Sequence, residues 1–495
     1  MNWIKKYIKK TPPLGAWGLI LLLMGCENYL GGDINIDPSR TTENNISLQG
    51  LMSTVIFYTS DSHFGAAWVA NRYTQQIGDV VADGIDVQRE QSVPAVWTNV
   101  YLNIIPNLNV MLRKAQEQNQ PFYTGTAKIL MAMNLALATS LWENIPYSQA
   151  DKGTEGIFRP SFDTQEQIFR SVQTLLDEGI AALQPISTQT TARPDDLAYN
   201  GNVARWIRLA WTLKARYLMQ LSRKGATNAA NAALTALANG FQSNADDFQL
   251  IYTSRNFNPW HSNVALANNT GNFTITHSAY LINMMNGSGG GILDPRLPLI
   301  ASRPATATTW VGVTAGRGTG SGSNVNFSTT TWQSTQTAPI QMCTFAEAKF
   351  LEAEARFIAN GGNTTSRGTT TAAYAAWQEA IRANMTKLGV SATDANAYLN
   401  NPTINIGAAN LTLANIMMEK YKTLFLHPEV WNDMRRYDYN TNVYRGLTLP
   451  ENHSPDLQGR WIQRMSYPSS ENSRNTDNVR ANFKAISVPM WMFSN

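Results

Sequence analysis

Charge is scarce in this sequence. Only 15% of its 495 residues are Asp, Glu, Lys or Arg, while Asn, Thr, Ser and Gln fill the remaining polar positions. Such a composition argues against a charge-rich cytosolic helical protein and against disorder driven by charge. The 39 basic residues nearly balance the 35 acidic ones. This balance argues against a nucleic-acid partner.

Cysteine and histidine are equally rare. The two cysteines, Cys26 and Cys343, are too few for a disulfide framework or a cysteine-rich zinc site. No two histidines have the i, i+4 spacing of a helical metal pair, and none has a neighbouring cysteine. The five are His63, His261, His277, His427 and His453. We therefore predict no metal site and no cofactor.

Catalytic motifs are also missing. The sequence has no Gly-x-Ser-x-Gly elbow, and the glycine-rich segment 316–322 lacks the lysine of a phosphate-binding loop. We interpret that segment as a flexible loop.

Two glutamates are spaced so that they could act together as a catalytic pair. Glu347 and Glu354 are seven residues apart and share one face of a predicted helix. They could form an acid/base pair, but buried acids are costly unless they have partners. We favour structural ion pairs, with Arg435 and Arg436 as candidate partners. Asp294 and Arg296 are interpreted as a turn with an internal ion pair. The sequence therefore favours a protein that is not an enzyme.

No apolar run is long enough to cross a membrane. The longest, residues 16–24, has nine residues, whereas a transmembrane helix needs about 20. Four lysines precede it, at positions 5, 6, 9 and 10, and small residues follow it. This arrangement predicts a signal peptide over residues 1–25. Without those lysines, basic and acidic residues number 35 each.

The end of this segment has a more specific pattern. Leu23-Met24-Gly25-Cys26 matches a bacterial lipobox, in which the cysteine thiol receives a diacylglycerol. Several acyl chains together give durable membrane anchoring, at about 0.8 kcal/mol per buried methylene. We predict that Cys26 is the lipid attachment site. Cys343 then has no disulfide partner, and we expect a buried, inert thiol.

The remainder of the chain is predicted to be mainly α-helical. Apolar residues recur at i, i+3, i+4 and i+7 in four segments, near 165–181, 204–222, 345–359 and 411–426. Two further helices are expected near 94–118 and 127–142. Asp163 and Glu166 suggest a helix N-cap. Strand signals are few and short, so we expect helix pairs packed side by side. Residues 26–45 are interpreted as a lipidated tether and 46–495 as one domain.

Long loops separate the helical blocks. Residues 243–275, 286–292 and 302–338 are rich in Gly, Thr, Ser or Asn, and loops of this length are usually functional or mobile. Aromatic side chains beside amides suit the apolar faces and hydroxyl rims of sugars. Six aromatic residues outside the clear helical stripes are our ligand-binding candidates: Trp68, Tyr73, Trp97, Trp260, Trp310 and Trp332. Packing of any one of them onto the scaffold or a partner remains equally open.

Several short segments occur in a fixed order along the chain: LWENIPYSQA (141–150), SFDTQEQI (161–168), DLAYNGN (196–202), LDPRL (293–297), AE (346–347), AEA (353–355), WNDMRR (431–436) and YPSSE (467–471). Together they resemble the SusD/RagB family of outer-membrane lipoproteins of Bacteroidetes. The resemblance covers essentially the whole chain after Cys26. One departure is Glu143-Asn144, where the family often has Gly-Asp.

The resemblance implies a SusD-like fold, with tetratricopeptide-like helix pairs, a loop-rich face and little β-structure. It also implies a cell-surface lipoprotein of the outer membrane. Such a protein would bind a nutrient, either a glycan or a peptide, and act as the lid of a SusC-like TonB-dependent barrel.

Two other functions remain open. The chain could be an accessory subunit that caps a barrel within a larger outer-membrane assembly or secretion machine, without a soluble ligand. It could also be a surface hydrolase, although Glu347 and Glu354 are the only plausible acid pair.

Overall fold

Amphipathic helices dominate the architecture. The computed structural model describes residues 45–288 and 291–494. In chain order the α-helices are α1 (Leu48–Tyr73), α2 (Pro94–Thr98), α3 (Ile105–Glu117), α4 (Pro121–Trp142), α5 (Gln165–Leu183), α6 (Val203–Gln220), α7 (Ala226–Leu237), α8 (Leu266–Asn269), α9 (Ala279–Met285), α10 (Leu297–Ile300), α11 (Phe345–Ala359), α12 (Thr371–Leu388), α13 (Ala392–Asn400), α14 (Leu413–Thr423), α15 (Glu429–Arg436), α16 (Ser469–Arg474) and α17 (Thr476–Asn482). The prediction of a mainly α fold is confirmed.

The strands are short and form two separate antiparallel pairs. They are β1 (Ile77–Asp79), β2 (Phe248–Ile251), β3 (Ile275–His277) and β4 (Pro339–Cys343). Strand β1 pairs with β3, placing Ile77 opposite His277, and β2 pairs with β4. Each pair joins segments that are far apart in sequence, so periodicity alone could not predict the pairing.

Consecutive helices pack side by side, as expected for a scaffold of helix pairs. Two glycines permit a close approach between α4 and α5. A Cβ atom on Gly125 would lie 2.9 Å from the carbonyl oxygen of Gly179. One on Gly179 would lie 3.1 Å from the carbonyl oxygen of Gly125. Any side chain at either position would therefore push the two helices apart.

Small residues allow a similar fit among α6, α7 and α11. Their contact is an apolar cluster dominated by alanine, with Ala215, Met219, Ala230, Ala233, Ala236, Leu351, Ala355 and Ile358 all buried. The cluster contains the apolar face predicted for segment 345–359. Residues from Leu48 onward form one compact unit.

The start of α5 differs from the prediction by one residue. Thr164, not Asp163, is the N-cap, and its hydroxyl accepts a hydrogen bond from the backbone amide of Gln167. The Gln167 side chain in turn accepts from the amide of Thr164, which completes a capping box. The Asp163 carboxylate instead accepts hydrogen bonds from the amides of Tyr147 and Ser148. It therefore fixes the turn after α4.

The predicted structural acids are both buried in ion pairs. Glu354 pairs with Arg436, and both side chains are almost fully inaccessible. Glu347 does not pair with either predicted arginine. It pairs with Arg216 on α6, where guanidinium Nη2 lies 2.5 Å from carboxylate Oε2. The expected partner of Glu347 is therefore corrected, because the fold brings together residues 131 positions apart.

Arg435 is the second correction. No carboxylate among the described residues lies within 4 Å of its guanidinium, which instead donates to the carbonyls of Gln463 and Ser140 at 2.8 Å. The guanidinium also lies 3.6 Å from the centre of the Trp431 ring. Burial lowers the pKa of Arg435 to about 9. Backbone dipoles and an aromatic face thus replace the predicted acid.

Glu143 occupies the position at which the resembled family often has glycine. Its φ of 74° is in a region that side chains rarely adopt. Burial tends to raise the pKa of its carboxyl, but Arg464 and Lys484 lower it below its ordinary value. Arg464 Nη1 lies 2.5 Å from Glu143 Oε2. The ion pair ties the end of α4 to the C-terminal segment and holds the strained residue in place.

The structure describes one of the two cysteines, Cys343, and leaves the predicted lipid attachment site untested. Cys343 is buried, as predicted, and it is the last residue of β4. Burial raises the pKa of its thiol well above the ordinary value. Cys26, the signal peptide and nearly all of the tether lie outside the described residues, so those assignments stay predictions. No helix in the described ranges is both long and apolar enough to cross a bilayer.

The buried pair between Glu354 and Arg436 gives a stability prediction. Replacing Arg436 by Met should lower the free energy of unfolding by about 3–5 kcal/mol, because two buried carboxylates lose a partner. Denaturant unfolding followed by circular dichroism measures the change. The control is Arg170→Met, whose side chain is 77% exposed in a pair with Glu166. It should change stability by less than about 0.5 kcal/mol. Equal effects of the two variants would contradict the assignment.

A buried histidine gives a second prediction. His277 Nε2 donates to the carbonyl of Ile300 at 2.9 Å, while Nδ1 has no partner, and the ring stacks on Phe327. Burial lowers the pKa of His277 to about 4, below the 6.5 of an unfolded histidine. The unfolded chain therefore gains a proton first as the pH falls. The stabilisation is complete above pH 6.5 and is lost as the pH falls toward 4.

We expect His277→Phe to reduce the loss of stability on acidification. Between pH 7 and 5 the wild-type chain should lose about 2 kcal/mol more than the variant, because the variant cannot bind that proton. The Ile300 carbonyl keeps a second donor, Gln333 Nε2 at 2.7 Å. Unfolding midpoints of both chains across this pH range measure the difference. Parallel pH profiles would show that His277 does not contribute.

Candidate functional site

Three adjacent cavities form a row along the loops that follow β3. Cavity A has a volume of about 680 Å³, cavity B about 540 Å³ and cavity C about 430 Å³. Cavities A and B share the lining residues Ala279, Asn283 and Thr314. Cavities B and C share Gly320, Ser321 and Asn324. The row could therefore hold an extended ligand as well as a small one.

Cavity A is the largest of the three, and its volume is typical of small-molecule sites. Helices α9, α12 and α14 and the loop 445–448 supply its walls. Its lining combines one half-buried aromatic ring, amides and hydroxyls with one exposed cation: Tyr280, Gln75, Asn283, Asn415, Thr403, Thr448 and Arg445. Such a mixture can stack on apolar ligand surfaces and hydrogen-bond to polar groups at the same time. Trp377 and Tyr398 lie behind this surface and are each 2% exposed.

A cluster of buried charges underlies cavity A. Arg296 Nη2 lies 2.6 Å from Asp294 Oδ2 and 2.6 Å from Glu419 Oε2. Lys422 pairs with Glu419 and lies 3.3 Å from Asp294. Tyr398 donates to Glu419 at 2.8 Å. The ion pair predicted between Asp294 and Arg296 is confirmed, and two acids balance two bases in this cluster.

The protonation of this cluster follows from those contacts. Burial alone would raise the pKa of Glu419, but Lys422 and Arg296 lower it below its ordinary value. Arg296 and Lys422 likewise outweigh burial at Asp294 and lower the pKa of that carboxyl. Both acids therefore stay ionised at neutral pH, and the cluster has no net charge. It is a rigid floor and offers no free acid to a ligand.

The loop 315–320 runs from cavity A past cavity B to cavity C, and contacts of its backbone hold it in place. The amide of Gly316 donates to Asp86 Oδ2 at 2.8 Å, and the amide of Glu451 donates to the carbonyl of Ala315 at 2.9 Å. Gly316 has a φ of 76°, and a Cβ atom there would lie 1.9 Å from the Glu451 carbonyl oxygen. The glycine that suggested flexibility thus permits close packing.

Trp310 is the one sequence candidate that lines a cavity of ligand size. It is half-buried in the wall of cavity B, with the Arg303 guanidinium 5.3 Å from its ring centre. Trp332 is also half-buried, but it lines two spaces of only about 40 and 20 Å³. Those volumes fit ordered water and exclude a sugar ring. Trp68 lies outside all of these cavities and stacks on Trp260 at 5.9 Å.

The three other candidates are buried, which corrects their predicted exposure. Tyr73 is fully inaccessible, and its hydroxyl donates to the Arg89 carbonyl at 2.6 Å. Trp97 is 6% exposed and packs edge-on against Trp142. Trp260 is 1% exposed and stacks on Trp68 and Phe327. In this structure all three pack in the core and present no face to a ligand.

Sequence reasoning missed most of the residues that line the row. Asn283, Tyr398 and Arg445, which line cavity A, carry no recognisable motif. The available signal was loop composition, because segments 286–292 and 302–338 both contribute to the cavity walls. Loop composition therefore predicts the position of these cavities better than aromatic residue type does.

Metal ligands do not cluster in the part of the chain that the structure describes. There, no three side chains of His, Cys, Asp or Glu are grouped so that they could hold an ion. The chemistry available in the row is therefore stacking, hydrogen bonding and the positive charge of Arg445.

Comparison with solved structures shows the same fold at low sequence identity. A SusD/RagB family protein from Bacteroides thetaiotaomicron is 21% identical, with a TM-score of 0.72 over 90% of this chain and 99% of that chain. A SusD homolog from Bacteroides uniformis is 20% identical, with a TM-score of 0.73 over 90% and 99%. A chitin-binding SusD homolog from Flavobacterium johnsoniae is 18% identical, with a TM-score of 0.72 over 90% and 99%.

The sequence itself also matches a family model. No curated protein matches it at a significant level. Residues 44–468, however, match the SusD-like family described as "Starch-binding associating with outer membrane". This match spans most of the chain, and the helical scaffold agrees with it. The protein therefore belongs to the SusD-like family.

Proposed function

We propose that this protein binds a nutrient oligosaccharide in the row formed by cavities A, B and C. The observation that carries the proposal is the lining of the row, where the half-buried rings of Trp310 and Tyr280 occur among amide and hydroxyl side chains. Sugar rings have apolar faces and hydroxyl rims, so both kinds of group find a complement. The family description and the chitin-binding homolog support a glycan over a peptide.

Binding without catalysis is part of this proposal. Glu347 and Glu354, the acids that could have formed an acid/base pair, are committed to Arg216 and Arg436 in the core. Glu419, the acid that lines cavity A, is held by Arg296, Lys422 and Tyr398. None of these carboxylates is free to transfer a proton to a bound sugar.

The proposal extends to the place of action. Lipid on Cys26 would anchor the chain to the outer membrane, and residues 26–45 would let the domain swing while it stays attached. In this scheme the protein faces the cell exterior and closes over a SusC-like TonB-dependent barrel. Closure would bury the ligand between lid and barrel, which is a hinge motion of a known kind. The family description, which includes association with the outer membrane, supports this placement.

Two tryptophans in the loop 302–338 give a matched test of ligand binding. Trp310→Ala should weaken binding of the preferred oligosaccharide by about 10- to 100-fold, because one ring face loses its apolar contact. Trp332→Ala should leave the affinity within about twofold, since that side chain lines only water-sized spaces. Calorimetric titration with starch and chitin oligosaccharides measures both.

Two outcomes would contradict glycan binding in the row. One is equal weakening by both tryptophan variants at unchanged unfolding midpoints, which would place the ligand elsewhere. The other is that no oligosaccharide binds the wild-type chain.

Isolation of partners tests the proposed lid. We expect a mild-detergent pull-down from the native outer membrane to recover one TonB-dependent barrel in equal amount. A Cys26→Ala chain should lose membrane association, because no other thiol lies at the lipobox. Recovery of a larger assembly with secretion or barrel-insertion components would favour the accessory function. Recovery of this protein alone would contradict both.

A further inference from the structure

The charges that line the row are unevenly compensated. Cavity A is lined by Glu419, Lys422 and Arg445, cavity B by Arg317, and cavity C by no charged residue. Glu419 and Lys422 neutralise one another within the buried cluster. Arg317 forms a two-pronged pair with Glu451, at 2.9 and 2.7 Å. Arg445 is therefore the lining charge that lacks an acidic partner among the described residues.

Arg445 is exposed at the mouth of cavity A. Its Nη2 atom donates a hydrogen bond to the Thr412 hydroxyl at 3.4 Å. A second exposed guanidinium, that of Arg367, binds the same segment through Asn410 Oδ1 at 3.1 and 2.6 Å. In the described ranges, no carboxylate lies within ion-pair distance of either arginine. Two arginine side chains thus contact segment 410–412, and neither forms an ion pair with an acid of the described residues.

A further polar group in cavity A lacks a partner. The Tyr280 hydroxyl is buried and makes no hydrogen bond to any described residue. Burial raises the pKa of this hydroxyl, so it remains a donor at neutral pH. A buried donor without an acceptor is costly, so this hydroxyl marks a polar strain beside the cavity. Cavity A therefore offers an unpaired cation but no free acid.

We propose that cavity A receives an anionic sugar unit, with Arg445 as the residue that binds its charged group. The inference rests on the proposed function and narrows its ligand class to acidic oligosaccharides. Carboxylate and sulfate share the chemistry that a guanidinium recognises, namely a delocalised negative charge on several oxygens. The neutral units of the chain would then extend into cavities B and C, which offer Trp310 and uncharged polar groups.

A glycan array of matched acidic and neutral pairs tests this inference. Each uronic acid oligosaccharide is printed beside its methyl ester, and each sulfated one beside its desulfated form. We expect the wild-type chain to prefer acidic members by at least about tenfold, and the preference to weaken as salt is added. Loss of the preference on esterification identifies a carboxylate. Loss on desulfation identifies a sulfate.

Variants then assign the preference to Arg445. Arg445→Gln should reduce the ratio of acidic to neutral affinity to near one, and Arg445→Lys should restore part of it. The control is Arg382→Gln. That exposed arginine donates to Asn396 Oδ1 at 2.8 Å, has no acid partner among the described residues and lines none of the three cavities. It should keep the full preference. Titration of the best acidic glycan and its neutral partner gives the ratios, and unfolding midpoints confirm the fold.

The possible failures are distinguishable. Binding of neutral glycans without any acidic preference overturns this inference and leaves the proposed function intact. An acidic preference that Arg445→Gln and Arg382→Gln reduce equally overturns the assignment to cavity A. No binding of any glycan overturns the proposed function together with the inference.

Discussion

Helix α14 connects the helical scaffold to cavity A, because its charged residues form ion pairs with residues of both. Lys420 lies 2.8 Å from Asp433 on α15 and 3.7 Å from Glu354 on α11. Glu419 and Lys422 join the cluster with Arg296 and form part of cavity A. Each charge is buried, so each needs its partner to offset the cost of desolvation. A shift of α14 would break pairs on both sides at once, so the floor of cavity A is as rigid as the scaffold.

The sequence predicts the parts of this arrangement that depend on local pattern. Periodicity locates α5, α6 and α11 closely, since the apolar stripe of each packs on neighbouring helices. The pairing of Asp294 with Arg296 is local as well. The pairing of Glu347 with Arg216 is not, because it depends on which faces of α6 and α11 meet in the folded chain. Arg435 shows the same limit, since carbonyls remote in sequence stabilise its charge.

The aromatic candidates show why the site is harder to predict than the fold. Tyr73 and Trp97 were chosen for their polar sequence surroundings, yet those surroundings close over them in three dimensions. Trp310 and Trp332 lie in one loop of similar composition and occupy spaces of very different size. Composition predicts a loop here, and residues of that loop line cavity B. Cavity shape, however, is set by where the loop is held, for example at Gly316 against the backbone of Glu451.

Hydrogen–deuterium exchange with and without a bound oligosaccharide tests the central claim, that the row of cavities is the ligand site. The account predicts slower exchange on binding in residues 278–288, 311–326 and 445–448, which form walls of the row. Helices α5, α6 and α7 should exchange at unchanged rates, because they lie in the scaffold away from these cavities. Protection confined to that scaffold, with the loops unchanged, would contradict the account.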